Sequence, residues 1–336
     1  MPIRHFDGSE RTEPMLRYRL EGSGPPLLLI HGWGVTYAIW QNLAPLLKPH
    51  FQLIMIELPG LGGSSDITGH EPYYQVCAEA IEEVRRFLGI EKWAMLAYSS
   101  GTRAAEAYVK RYPQSVSHAI FLCPTYILEI WAVFLRLLDA PHSPSLMQWV
   151  FSDWRLHSLV RTFGFNGQRH DYTYVWKNEI ELQPLDILVR SLCEMPGQGR
   201  TPFYVPSIPT LFIWGGRDAL IARPRHLGPQ DVVIPANHSA PMLAAPAVAD
   251  VVLPFVLEGR IVTVGKNTSK TFQRVRRSNR NQKRLRFIKN RGILKNRGIL
   301  SFRDKQTPQR RRFFLQKRKS SLQTKRPRQQ RRFLDL

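Results

Sequence analysis

The 336-residue chain has few cysteines and no long apolar runs, and its last quarter has almost no acidic side chains. Its three cysteines, Cys77, Cys123 and Cys193, are odd in number, widely separated and free of any C-x-x-C pair. This argues against a disulfide framework or a cysteine-based zinc site and for a reducing, cytoplasmic setting. No stretch reaches about 18 uninterrupted apolar residues. The polar start, Met1 to Gly8, has no apolar h-region, so neither secretion nor a membrane span is expected. Residues 261–336 carry 26 Lys+Arg against 2 Asp+Glu, whereas residues 1–260 carry 22 against 24. The formal charge of +22 therefore describes the tail. A near-neutral body gives no reason to expect a nucleic-acid or anionic substrate there.

The tail, residues 261–336, is read as disordered, basic and of low complexity, because its Lys, Arg, Gln, Asn and Ser cannot bury enough apolar surface to fold. It contains a perfect hexapeptide duplication, Lys289 to Leu294 and Lys295 to Leu300. A period of six matches neither 3.6 nor 2, and two units are too few for a solenoid. Charge alone would let this segment bind RNA, DNA or an anionic membrane surface. That role is not favoured, since no aromatic interleaving or nucleic-acid module accompanies the charge.

What the body does contain is a repeated pattern of short apolar runs. Pro26 to Ile30, Leu53 to Ile56 and Trp93 to Ala97 are continuous rather than alternating, and each leads into a Gly- or Ser-bearing turn. Such runs suit parallel strands buried on both faces. Tyr74, Cys77, Ile81, Val84 and Leu88 recur at helical spacing before Gly89, and a small-residue helix is expected from Thr102 to Tyr112. Further strands are expected at His118 to Cys123, Thr210 to Trp214 and Val232 to Pro235. The alternation indicates a doubly wound α/β class with a mostly parallel sheet. It breaks between about Pro124 and Pro209, where aromatics including Trp131, Phe134, Trp149, Trp154, Phe165, Tyr172 and Trp176 crowd in. This stretch is read as an inserted helical cap, most of whose aromatics form its own core. The division expected is 1–124 with 206–260 as the α/β core, 125–205 as the cap and 261–336 as the tail.

Within this scaffold, Ala97-Tyr98-Ser99-Ser100-Gly101 joins a strand directly to a helix. A serine on so tight a turn has its hydroxyl pushed above the sheet, and small residues two before and two after it let the turn close. Ser99 satisfies this with Ala97 and Gly101. Ser100 does not, because Tyr98 and Thr102 would fill the crowded positions. A serine hydroxyl needs a base, and the base needs an orienting acid. Asp218 follows the strand ending at Trp214, and His238 follows the strand ending near Pro235, both at the sheet edge that holds Ser99. The candidate catalytic residues are Ser99, Asp218 and His238. His31-Gly32-Trp33-Gly34 turns after the first run and offers the Trp33 amide as one oxyanion donor, with Ser100 as the second. His31 itself is read as structural. Trp33, Tyr98 and the cap aromatics Trp131, Phe134, Trp149 and Trp154 are the candidate substrate-binding residues, and neither a cofactor nor a metal is called for.

Over about residues 15 to 258 the chain resembles the α/β-hydrolase superfamily. The resemblance is carried by the H-G-x-G turn at 31–34, the Pro59-Gly60-Leu61-Gly62-Gly63-Ser64 segment, the nucleophile turn at 97–101 and the acid and base loops. From Leu28 to Ser64 it is similar to the carboxylesterases that include the pimeloyl-carrier methyl esterase; the insert shows no such likeness. The chain departs from the family pattern at Ala97 and Thr102, where glycine is frequent, and at Asn237 before the histidine. The resemblance implies a serine hydrolase cleaving a carboxylic ester or related acyl compound. C–C bond hydrolases, thioesterases and cofactor-free haloperoxidases share the same triad, and the motifs do not separate them. Related dehalogenases and epoxide hydrolases carry aspartate where Ser99 stands. A non-catalytic protein working through its tail is the rival of another class. The partner expected is a small acyl substrate.

Overall fold

The computed structural model describes residues 3–4, 10–11, 13–67, 69–125, 157–158, 160–165, 172–195, 207–221 and 223–262. The chain divides into two units, Met1–Lys266 and Asn267–Leu336. The second, with its hexapeptide duplication, lies outside the described residues, so the reading of the tail as disordered stays a sequence expectation.

Seven strands form one sheet: β1 (Tyr18–Glu21), β2 (Pro26–Ile30), β3 (Gln52–Ile56), β4 (Trp93–Tyr98), β5 (Val116–Leu122), β6 (Thr210–Gly215) and β7 (Asp231–Ile234). Their spatial order is β1-β3-β2-β4-β5-β6-β7. Only β1 runs antiparallel, against β3; the other neighbours are parallel. The three continuous apolar runs are β2, β3 and β4. Leu27, Leu28, Leu29 and Ile30 have no exposed surface, as expected for central strands covered on both faces. Fully burying each such side chain stabilises by about 1.5–3 kcal/mol. Strand β1, Tyr-Arg-Leu-Glu, is an addition to the sequence reading. Its arginine and leucine are exposed and its end residues half-buried, an edge pattern that no apolar run announces.

Helix α1 spans Tyr73–Phe87 and α2 spans Gly101–Arg111, within a residue of the expected bounds. Gly89, at φ 65°, is the left-handed residue that ends α1. Between β5 and β6 all described secondary structure is helical: a single turn at Val160–Gly164, α3 (Tyr172–Glu181) and α4 (Leu185–Glu194). A last helix, α5 (Ala245–Glu258), buries apolar side chains, sets Phe255 edge-on against His118 of β5 and ends at Gly259. The sequence reading missed it because its apolar residues show no one-sided stripe. No helix among the described residues is long and apolar enough to cross a membrane.

This strand order puts a switch point between β2 and β4, where successive connections leave in opposite directions. Ligands bind at such points, beyond the carboxyl ends of the strands. The turn at that point depends on Gly101. A methyl group there would stand 2.2 Å from the His31 carbonyl oxygen, which is backbone and cannot swing away. Alanine would gain about 1 kcal/mol in helix propensity over glycine, but the clash outweighs that gain. Gly101→Ala is expected to destabilise by about 2 kcal/mol net, read as a lower urea midpoint. An unchanged midpoint would contradict the packing described.

Candidate active site

Strand β4 delivers Ser99 in the left-handed region at φ 52°, a conformation that costs a non-glycine residue about 1–3 kcal/mol. Its surroundings hold it there. The Ser99 N–H donates to the Leu122 carbonyl at 2.9 Å, and the Ser99 carbonyl accepts from the Thr102 amide at 3.0 Å. Two buried hydroxyls, Thr102 Oγ1 at 2.6 Å and Thr125 Oγ1 at 2.8 Å, donate to the same carbonyl. Thr102, a departure from the family's glycine, therefore acts as a brace. Ser100 is the N-cap of α2, so its N–H lies at a helix end that carries partial positive charge.

The loops after β6 and β7 converge on this hydroxyl. Ser99 Oγ lies 2.9 Å from His238 Nε2, and His238 Nδ1 lies 2.8 Å from Asp218 Oδ2. Asp218 Oδ1 accepts the amides of Leu220 at 2.8 Å and Ile221 at 2.9 Å. Burial pushes the Asp218 carboxyl up, but the charge and hydrogen bond of His238 and the two amides outweigh it and hold the group below its ordinary range. A carboxylate can only accept, so Nδ1 carries the ring proton and the Nε2 lone pair faces the serine hydroxyl. All three residues proposed from the sequence thus meet in one hydrogen-bonded line.

Two aromatic rings flank the imidazole. From the sheet, Tyr98 approaches with ring centroids 5.3 Å apart, and from α3 Trp176 stacks at 6.3 Å with an interplanar angle of 14°. Tyr98 was expected to touch substrate. It is fully buried, and its hydroxyl donates to the His238 carbonyl at 2.8 Å, so it positions the loop that carries His238. Trp176 was grouped with cap-core aromatics; its helical spacing from Thr173 and Ile180 is the signal that could have singled it out. The other cap candidates, Trp131, Phe134, Trp149 and Trp154, lie outside the described residues.

His31 holds the turn that follows β2. Its Nε2 accepts the Leu58 amide at 2.9 Å, leaving Nδ1–H to donate to the Gly32 carbonyl at 2.8 Å. Complete burial lowers its pKa from 6.5 to about 4, although the Gly32 hydrogen bond pulls the other way. Between those two values the unfolded chain takes up a proton that the folded protein refuses. Stability therefore falls as pH drops from about 6.5 to 4, by on the order of 3 kcal/mol from this residue. His31→Gln is expected to be less stable at pH 7 but to show a flatter decline of the urea midpoint towards pH 4. Parallel declines in the two proteins would contradict this assignment.

Helices α3 and α4 rest on the loops that follow β2 and β3. Gly34 and Gly60 adopt positive φ, and a side chain at either would stand 2.7 Å from Ile180 or 2.9 Å from Ile187. Trp33 Nε1 donates to the Leu188 carbonyl at 2.9 Å, Thr36 Oγ1 to Glu179 at 2.7 Å, and the Gly62 amide to Gln183 Oε1 at 2.8 Å. The half-buried Trp33, a candidate substrate contact, has its indole N–H engaged in this docking.

Cys123, at φ 48°, lies behind the acid. Its sulfur, one Asp218 oxygen and one His238 nitrogen all lie within 4.8 Å of one another, the one metal-compatible grouping among the described residues. The donor chemistry does not favour a metal. Burial first, then the Asp218 charge and hydrogen bond, push the thiol well above its ordinary range, and His238 Nδ1 and Asp218 already share a proton.

Comparison with known proteins agrees with this architecture. A model of the alpha/beta hydrolase fold family matches residues 25–229. A fluoroacetate dehalogenase of Burkholderia sp is 34% identical over 134 residues, covering 37% of this chain and 44% of that protein. A pimeloyl-[acyl-carrier protein] methyl ester esterase of Pseudoalteromonas atlantica is 31% identical over 172 residues, covering 50% and 65%. The chain thus spans less than two thirds of the length of either curated relative. A thermophilic esterase from Thermogutta terrifontis, solved with malate bound, superposes with a TM-score of 0.57 at 20% identity over 72% of this chain and 93% of that one, a likeness of fold. With the sheet order, the Ser-His-Asp line and a family match across more than half its length, the chain belongs to the alpha/beta hydrolase fold family.

Proposed function

We propose that the protein hydrolyses carboxylic esters through an acyl-serine intermediate, with Ser99 as nucleophile, His238 as base and Asp218 as orienting acid. The observation that carries this reading is the continuous hydrogen-bonded line from Ser99 Oγ through both ring nitrogens to Asp218. His238 Nε2 takes the hydroxyl proton as Oγ attacks the ester carbonyl. The amides of Trp33 and Ser100 hold the resulting oxyanion, each contributing about 100- to 1000-fold in turnover. The carbon–oxygen bond to the alcohol breaks, and the alcohol leaves with the proton from His238. Water then repeats the sequence on the acyl-enzyme and restores Ser99.

Serine at position 99 separates this chemistry from that of the dehalogenase it is similar to. Displacing a halide with a serine oxygen would leave an ether, which His238 and water cannot hydrolyse. A carboxylate nucleophile would leave a cleavable ester. An ester substrate gives Ser99 a cleavable intermediate.

The test is covalent labelling of the full chain with a p-nitrophenyl alkylphosphonate, followed by intact mass and peptide mapping. One adduct per chain is expected, on the peptide carrying Ser99 and absent from Ser99→Ala. Labelling that persists unchanged in that variant would overturn the assignment.

A further inference from the structure

Two buried hydrogen-bonding groups on one face of α3 have no partner among the described residues: Thr173 Oγ1 and Trp176 Nε1. They are three residues apart and so are neighbours on the helix surface. Thr173 is 2% and Trp176 9% exposed. Their isolation contrasts with Glu179 and Lys177 on the same helix and Gln183 just after it, which are all bonded. A buried polar group left unpaired is costly enough that each instance calls for a reason.

The position of Trp176 supplies one. Its indole stacks on the ring of His238. A methyl group on Gly164 would meet its Cζ3 at 2.5 Å and Cε3 at 2.9 Å, so the benzo edge abuts the backbone of the 160–164 turn. The N–H lies on the opposite edge of the indole and points away from that backbone. Trp40 and Trp93 also lack acceptors, but they are sealed in the core at 0% exposure, whereas Trp176 touches the base.

We infer that Thr173 and Trp176 form a polar subsite on the cap face of the active site, specific for an acyl substrate with an uncharged acceptor oxygen, such as an ether, a few bonds from the scissile carbonyl. The inference rests on the acyl-serine reading above. Two neutral donors recognise a neutral oxygen, and an all-carbon chain leaves both unpaired. Specificity then comes from the penalty on the wrong substrate as much as from the bond to the right one.

The experiment compares labelling rates for a p-nitrophenyl pentylphosphonate and isosteres in which an ether oxygen replaces each internal methylene in turn, each rate divided by that for hydroxide. In the wild-type protein one ether isostere is expected to react about 5-fold faster than the alkyl compound. Trp176→Phe, which keeps an aromatic ring and loses the N–H, brings that ratio close to one. Thr173→Val, nearly isosteric, lowers the ratio and raises Tm by about 3 °C, because it deletes an unpaired buried hydroxyl. A threonine bonded within the fold would give the opposite Tm sign, and an unpaired one with no part in recognition would leave the ether ratio unchanged. No ether preference, a preference unchanged in Trp176→Phe, or a lower Tm in Thr173→Val overturns this inference and leaves the Ser99 reading intact. Absent labelling, or labelling that survives Ser99→Ala, overturns that reading and this inference with it.

Discussion

Ser99→Ala is expected to lower kcat for a short-chain p-nitrophenyl ester by about a millionfold, to a rate still about 1000-fold above water. Methyl in place of hydroxyl leaves the oxyanion amides and the pocket in place, so binding and electrostatic help persist while the covalent route is lost. His238→Ala should fall to the same level, because a serine hydroxyl without its base is a poor nucleophile. The decisive measurement is the double variant. Groups that act as one unit lose their effect together, so Ser99→Ala/His238→Ala should be no slower than either single variant. Multiplicative losses, or a Ser99→Ala enzyme within tenfold of wild type, would mean that the two residues do not share a step.

Asp218→Asn is expected to cost about 10000-fold in kcat with little change in fold. The asparagine carbonyl would take over the amides of Leu220 and Ile221, which Asp218 Oδ1 accepts at 2.8 and 2.9 Å. Its NH2 group would then face His238 Nδ1. Two donors cannot share that bond, so the ring proton moves to Nε2, where it points at Ser99 and blocks proton removal. Titration of the variant by imidazole NMR would show the changed tautomer directly. A variant that retains more than a tenth of its activity would show that Asp218 does not set the ring. Because the Asp218 carboxyl is held below its ordinary range, its stabilisation is complete above the unfolded carboxylate pKa. That stabilisation is lost as pH falls through the lowered folded value.

The candidate site was legible in the sequence because Ser99 and Asp218 follow fully buried strands and His238 follows the half-buried edge strand β7, and continuous apolar runs such as Leu27 to Ile30 are strong local signals. Three residues on the turns that follow three strands at one sheet edge specify a hydrogen-bonded line with few alternatives. Ser99 was distinguished from Ser100 by sterics alone, and the clash that a side chain at Gly101 would make with the His31 carbonyl is the physical form of that argument. Residues acting through tertiary contact were not legible. Thr125 reaches the Ser99 carbonyl from the loop after a neighbouring strand, and no spacing in the sequence couples positions 99 and 125. Tyr98, a candidate substrate contact, is fully buried with its hydroxyl on the His238 carbonyl, a long-range contact that no local pattern announces. On a strand successive side chains alternate faces, and Tyr98 turns into the core behind His238. Strand β1 was missed because an edge strand with one partner needs no apolar run, and α5 because its apolar residues surround the axis.

The rings beside His238 come from different parts of the chain: Tyr98 from the sheet and Trp176 from α3, whose foot rests on Gly34 through Ile180. One helix thus both covers the ring of His238 and abuts the turn that follows β2. The base and the turn after β2 are therefore coupled through a single helix, and a change in its seating reaches both.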